Sequence, residues 1–113
     1  MTVRFTMAML ETLVAFTTER SVSAAARRLG VSQPAVSSNL ARFERLCGFP
    51  LVTRSPSGSE LTPAGRELAE VAEEALSAAG RVAQRIEDLG AQGVRPLRVA
   101  ASMTIAEDLL PDW

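Results

Sequence analysis

Gly30 is followed two residues later by Ser32 and four later by Pro34, and that spacing constrains everything around it. A glycine accepts the left-handed backbone at which helices end. A serine side chain satisfies the unpaired N–H groups of a first helical turn, and a proline costs nothing there because its missing N–H would have had no partner. One helix therefore stops at Leu29 and another opens behind Ser32, with only a sharp turn between them.

Other elements fall into place on either side. Met9, Leu13 and Phe16, with Leu10 and Val14 beside them, make residues 7–20 an amphipathic first helix. Ser21 or Ser23 caps the short second helix. In the third helix Val36, Leu40, Phe43 and Cys47 recur at helical steps as one buried stripe, and Gly48 ends it. Residues 51–54 read as a strand, 55–59 as turn material and Glu60-Leu61 as a minimal return strand, a small hairpin. Thr62-Pro63 opens a fourth helix. In it Leu68, Ala72, Ala75, Ala79, Val82, Ile86 and Leu89 alternate steps of four and three, the seam of a coiled coil. Helical over 63–89, this element would be about 40 Å long, more than so small a core can cover. Residues 90–96 have linker composition, 97–101 resemble the start of a buried strand and 104–110 a capped helical turn.

Composition excludes most chemistry. The 113 residues hold no His and no Lys, so all twelve basic side chains are Arg, and no metal, cofactor or catalytic group is expected. The single Cys47 excludes an internal disulfide, fits a reducing compartment and, lying on the buried stripe, is expected to be a structural thiol. With no membrane-length apolar run and no signal-peptide pattern, a cytoplasmic protein without membrane contact is expected. Charge is uneven. Residues 1–66 carry eight Arg against four acids, or +4, whereas residues 67–113 carry four Arg against nine acids, or −5. A basic first part suggests a polyanionic partner for that part alone.

Two short helices joined at Gly30 form a helix-turn-helix, in which the second helix enters the major groove of DNA. Ala26 permits the close helix packing this needs. Opposite the buried stripe, the third helix presents Pro34, Ser38, Ala41 and Arg45, flanked by Ser37 and Arg42, with Gln33 at its N-terminus. Gln pairs bidentately with adenine, small apolar groups meet the thymine methyl, and the helix N-terminus attracts phosphate. Arg27 and Arg28, on the second helix, fit either a phosphate contact or an ordinary solvated face.

Ala25-Ala26, Leu29, residues 31–37 (VSQPAVS), Glu44, Gly48, Leu51, Arg54 and residues 61–65 (LTPAG) together resemble the winged helix-turn-helix domain of LysR-type transcriptional regulators. The resemblance runs from about Arg4 into the fourth helix. It implies a mainly α fold, three helices plus a small β-hairpin wing followed by a long dimerisation or linker helix, and sequence-specific binding of double-stranded promoter DNA. By resemblance Gln33 and Pro34 face bases, Ser37 and Ser38 lie on the groove floor or its phosphate edge, and Ser32 and Arg42 meet phosphates. Arg54 and the wing tip, with Ser57, Gly58 and Ser59, reach toward the minor groove, and Ser23 and Ala35 complete the set. Two departures stand out. Position 38, often basic in the family, is Ser, and the wing carries the acid Glu60 with no Arg between Ser55 and Leu61.

The seam is expected to pair two chains. Glu70, Glu73 and Glu74 precede Arg81 and Arg85, so an antiparallel pair brings opposite signs together. The homodimer would read an imperfect inverted repeat, and the resemblance allows a tetramer for a full-length protein. Residues 97–113 resemble the opening of the family's effector-binding domain, which implies a truncated chain; Ser102 and Thr104 would lie near a small-molecule effector only in a full-length protein. The expected division is 1–62 DNA-binding domain, 63–90 linker helix, 91–96 hinge and 97–113 incomplete effector domain. A second reading takes the long helix as a protein-interaction surface without specific DNA binding, and salt-dependent binding to operator DNA separates the two.

Overall fold

A computed structural model of the chain describes residues 4–93. The elements are α1 (Met7–Ala15), α2 (Val22–Leu29), α3 (Gln33–Cys47), β1 (Val52–Ser55), β2 (Gly58–Leu61) and α4 (Pro63–Ala91). Each helix opens in the same way. The hydroxyls of Thr6, Ser21, Ser32 and Thr62 accept the N–H of Met9, Ala24, Ala35 and Gly65 at 3.1, 3.0, 3.2 and 2.9 Å. Such a cap contributes about 1 kcal/mol. The second helix is thus capped by Ser21, not Ser23.

Gly30 closes α2 at φ 69°, ψ 32°. Its N–H donates to the Arg27 carbonyl at 3.3 Å, and the next N–H, of Val31, reaches back to Ala26 at 3.0 Å. This reciprocal pair satisfies the last carbonyls of the helix and turns the chain sharply into α3.

The first helix is shorter than its apolar period predicts. It ends at Ala15, where the Thr17 hydroxyl donates to the Val14 carbonyl at 2.7 Å and the Thr18 hydroxyl to Ala15 at 3.5 Å. Threonine hydroxyls offer the backbone an alternative to continued helix.

Leu13, Val36 and Leu51 are fully buried at the centre, one from α1, one from α3 and one from the segment before β1. Met9, Leu10, Phe16, Ala25, Ala26, Phe43, Leu61, Ala69 and Ala72 surround them, with Leu40 and Cys47 partly buried against the same core. The strands pair antiparallel, with Val52 opposite Leu61 and Ser55 opposite Gly58.

The fourth helix packs chiefly on α1. At Gly65 it comes so near the Leu51 backbone that a Cβ would lie 2.2 Å from the Leu51 carbonyl oxygen. Beyond Leu76 the helix leaves the domain, and the expected seam divides with it. Leu68 and Ala72 pack into the chain's own core, whereas Ala75, Val82 and Leu89 are exposed and Ala79 and Ile86 half-buried. A strict seven-residue repeat drifts by about 20° per heptad on a straight helix, so one stripe cannot keep facing one partner. The outward stripe instead begins at Val71, which is 59% exposed. Among the described residues no helix is long and apolar enough to cross a membrane. Ser102, Thr104 and the strand and helical turn expected over 97–110 lie outside the described residues.

Candidate nucleic-acid interface

The outer face of α3 is built from small groups and donors. Ser32, Gln33, Pro34, Ser37, Ser38, Arg42 and Arg45 are exposed, while Ala35 and Ala41 are half-buried beside them. No acid occupies the face. The one carboxylate of α3, on Glu44, turns inward, where its Oε2 accepts the N–H of Leu51 at 2.7 Å and of Val52 at 3.3 Å. Glu44 therefore ties the recognition helix to the first strand of the wing. That role was not apparent from the sequence, although an acid at the margin of an apolar stripe in an otherwise acid-free helix was the available signal.

Strand pleating places Val52 and Arg54 on the same side of the hairpin as their partners Leu61 and Ser59, the side that meets the core. Arg54 consequently projects into the space between wing and recognition helix. It lines one groove with Ser37 and Ala41 and a second with Gln33, Arg20 and Ser55. The sequence expectation set Arg54 with the wing tip, but the tip itself is Pro56-Ser57, the two residues between the strands.

Two further expectations for the tip need correction. Ser59 is buried, at 8% exposure, and its N–H donates to the Arg20 carbonyl at 2.7 Å. Gly58, with φ 118°, stands so close to the same carbonyl that a Cβ would lie 2.7 Å away. Both attach the wing to the domain, because β1 reaches one residue, and β2 two residues, further toward the tip than the turn composition suggested. Ser57 alone of that trio remains at the exposed tip. Glu60 lies on the return strand, as expected, and pairs with Arg20 at 2.7 Å.

The arginines sort by partner. Arg28 pairs with Glu19 at 3.4 Å and also donates to the Thr18 hydroxyl. Arg27 donates to the hydroxyl of half-buried Ser23, one turn earlier on α2, at 3.0 Å. Arg42, Arg45 and Arg54 form no ion pair among the described residues. With the partial positive charge of the α3 N-terminus, they give this face its basic character.

Cys47 is half-buried at the far end of α3, and desolvation, with Glu44 adding to it, pushes its thiol up from 9.0. It is neutral at physiological pH, as a structural thiol should be. The described residues contain no cluster of groups able to hold a metal ion.

Known proteins share this arrangement. A family model described as bacterial regulatory helix-turn-helix protein, lysR family, matches residues 7–66. An uncharacterized HTH-type transcriptional regulator of Mycobacterium tuberculosis is 42% identical over 103 residues, which are 91% of this chain and 33% of that protein. A probable RuBisCO transcriptional regulator of a Nostoc species is 39% identical over 107 residues, covering 95% and 32%. The chain thus spans about a third of the length of the curated relatives it matches. Among solved structures, the DNA-binding domain of CbnR in complex with DNA superposes with a TM-score of 0.67 at 34% identity, over 74% of this chain and 97% of that one. Oxidized OxyR of Corynebacterium glutamicum superposes with a TM-score of 0.69 at 34% identity, over 80% and 27%. With more than half of its length matched by the family model, this chain belongs to the lysR family of bacterial regulatory helix-turn-helix proteins.

Proposed function

We propose that this chain is the DNA-binding part of a LysR-type transcriptional regulator, residues 1–62 forming the DNA-binding domain and 63–90 the linker helix that joins two copies. The observation that carries the reading is the acid-free outer face of α3, facing Arg54 across the cleft beneath the wing. The solved complex of the CbnR DNA-binding domain with DNA, which this chain matches over 74% of its length, supports it. Gln33 and Pro34 meet base edges, Ser37 and Ser38 the groove floor, and Ser32 and Arg42 phosphates, with Ala35 packed beside them. Arg54 and Ser57 approach the minor groove from the wing.

Two copies pair antiparallel through the outward stripe of α4, Val71, Ala75, Ala78, Val82, Ile86 and Leu89, which sets the acids of one first half against Arg81 and Arg85 of the other. The cytoplasm is the setting this implies. A small-molecule effector, a tetramer and the domain that follows a hinge at 91–96 belong to a longer protein.

The test is footprinting of the chain on DNA upstream of its own gene. An inverted repeat with half-sites about one helical turn apart, or a multiple of it, is expected. Binding that ignores sequence and salt would refute the proposal and favour a protein-interaction role for α4.

A further inference from the structure

The wing is a two-stranded hairpin, and two strands alone are marginally stable in water. Something must fix its pose over α3. On the α3 side Glu44 holds the start of β1, but β2 is held from elsewhere, by the segment between α1 and α2. The Arg20 carbonyl accepts the Ser59 N–H at 2.7 Å, and the Arg20 guanidinium pairs with Glu60 at 2.7 Å. The absent side chain of Gly58 lets the two backbones approach. The segment is itself fixed to the helix-turn-helix, since Arg28 of α2 bonds to Thr18 and Glu19. A continuous polar chain thus runs from α2 through residues 18–20 to β2, beside the cleft that Gln33 and Arg54 share.

We propose that Arg20 and Glu60 form a clamp that sets the angle of the wing to the recognition helix, so that Arg20 is a positioning residue for wing contacts on DNA. The pair is too exposed, at 62% and 38% of its side chains, to matter much for global stability. Its leverage is geometric, because β2 carries the partner of Arg54 in the ladder. The claim about DNA rests on the function proposed above, whereas the claim that the pair holds the wing does not.

Charge reversal separates a clamp from a simple cation. Arg20→Glu and Glu60→Arg change net charge in opposite directions, so a long-range charge effect weakens DNA binding in one and strengthens it in the other. A clamp is broken by both, and the double exchange restores it at unchanged net charge. Hydroxyl-radical footprinting on the protected site is expected to lose the outer, wing-proximal protections in both single variants, to keep the major-groove half-sites, and to recover all of them in the double exchange. Loss in Arg20→Glu alone would mean that Arg20 touches DNA directly and would overturn the clamp, as would protections unchanged in both. Amide hydrogen exchange of the unbound chain gives a readout independent of DNA. The Ser59 amide should exchange about fivefold faster in each single variant, the upper range for an exposed ion pair, and return in the double exchange, with circular dichroism unchanged. Exchange unaltered in both singles refutes the clamp even if the chain binds no DNA; failure of the unaltered chain to protect any site, with exchange responding as expected, refutes only the DNA reading.

Discussion

Gly65 and Gly30 illustrate how differently two glycines can be required. At Gly65 an added methyl meets the Leu51 carbonyl oxygen at 2.2 Å, backbone against backbone, with no flexible group to move aside. At Gly30 nothing lies within 4 Å, and only the left-handed φ of 69° resists a side chain. Gly65→Ala should therefore cost about 3 kcal/mol, on the order of 10 °C in melting temperature, and Gly30→Ala about 1–2 kcal/mol. Differential scanning fluorimetry of the two variants checks the order; equal losses would mean that α4 slides away from Leu51 at little cost. Gly30 was legible in the sequence because its neighbours Ser32 and Pro34 signal a helix boundary. Gly65 was legible only as part of a resemblance, since its reason is a contact with a residue fourteen positions earlier. Cys47 carries a pH prediction. Its folded thiol titrates above 9.0, so it holds its proton where an unfolded chain begins to lose it. The stability this contributes is complete below pH 9 and is lost as the pH rises through the folded value. Cys47→Ala should abolish that alkaline decline in a pH series of urea midpoints, and iodoacetamide should modify the native thiol more slowly than a small-molecule thiol at neutral pH.

At the scale of elements, α4 is two surfaces on one helix. Gly65, Leu68, Ala69, Ala72 and Leu76 face the domain, and Val71, Ala75, Val82 and Leu89 face away, with Val82 56% and Leu89 43% exposed. Leu68→Ala should lower the stability of the domain by about 2 kcal/mol and leave association unchanged. Val82→Asp should leave the domain's melting intact and, at micromolar concentration, give monomers in sedimentation velocity. Were Leu68→Ala to dissociate the chain instead, the uninterrupted seam would be the true interface. A regular alternation of fours and threes was plain in the sequence, yet period alone does not say whether a stripe is covered by its own domain or by a second chain. The caps and turns of α2 and α3 were legible because their chemistry is local. The anchoring of the wing by Glu44 and Arg20 was not, because an acid accepting two N–H groups seven and eight residues on, and an arginine bonded across forty residues, leave no local pattern.

For the molecule as a whole, the division of charge between a basic first part and an acidic second decides how binding should respond to salt. Each phosphate neutralised releases counterions, and the logarithm of affinity falls with that of salt by roughly 0.9 per contact on duplex DNA. Arg42 has no ion pair among the described residues, so its charge is available to a phosphate. In a dimer each substitution removes two contacts, so Arg42→Ala should lower the slope by about 1.8, and by about 0.9 if a single chain binds. Arg28 provides the contrast. It is already paired with Glu19 and bonded to Thr18, and binding a phosphate would first require breaking those contacts, so Arg28→Ala should barely move the slope. Fluorescence anisotropy titrations of both variants at several salt concentrations, on the footprinted duplex, test stoichiometry and site together. A slope change near 1.8 for Arg42 with none for Arg28 supports two recognition helices on one duplex. A large change for Arg28 would mean that its contacts with Glu19 and Thr18 give way on binding and that the second helix also meets phosphates.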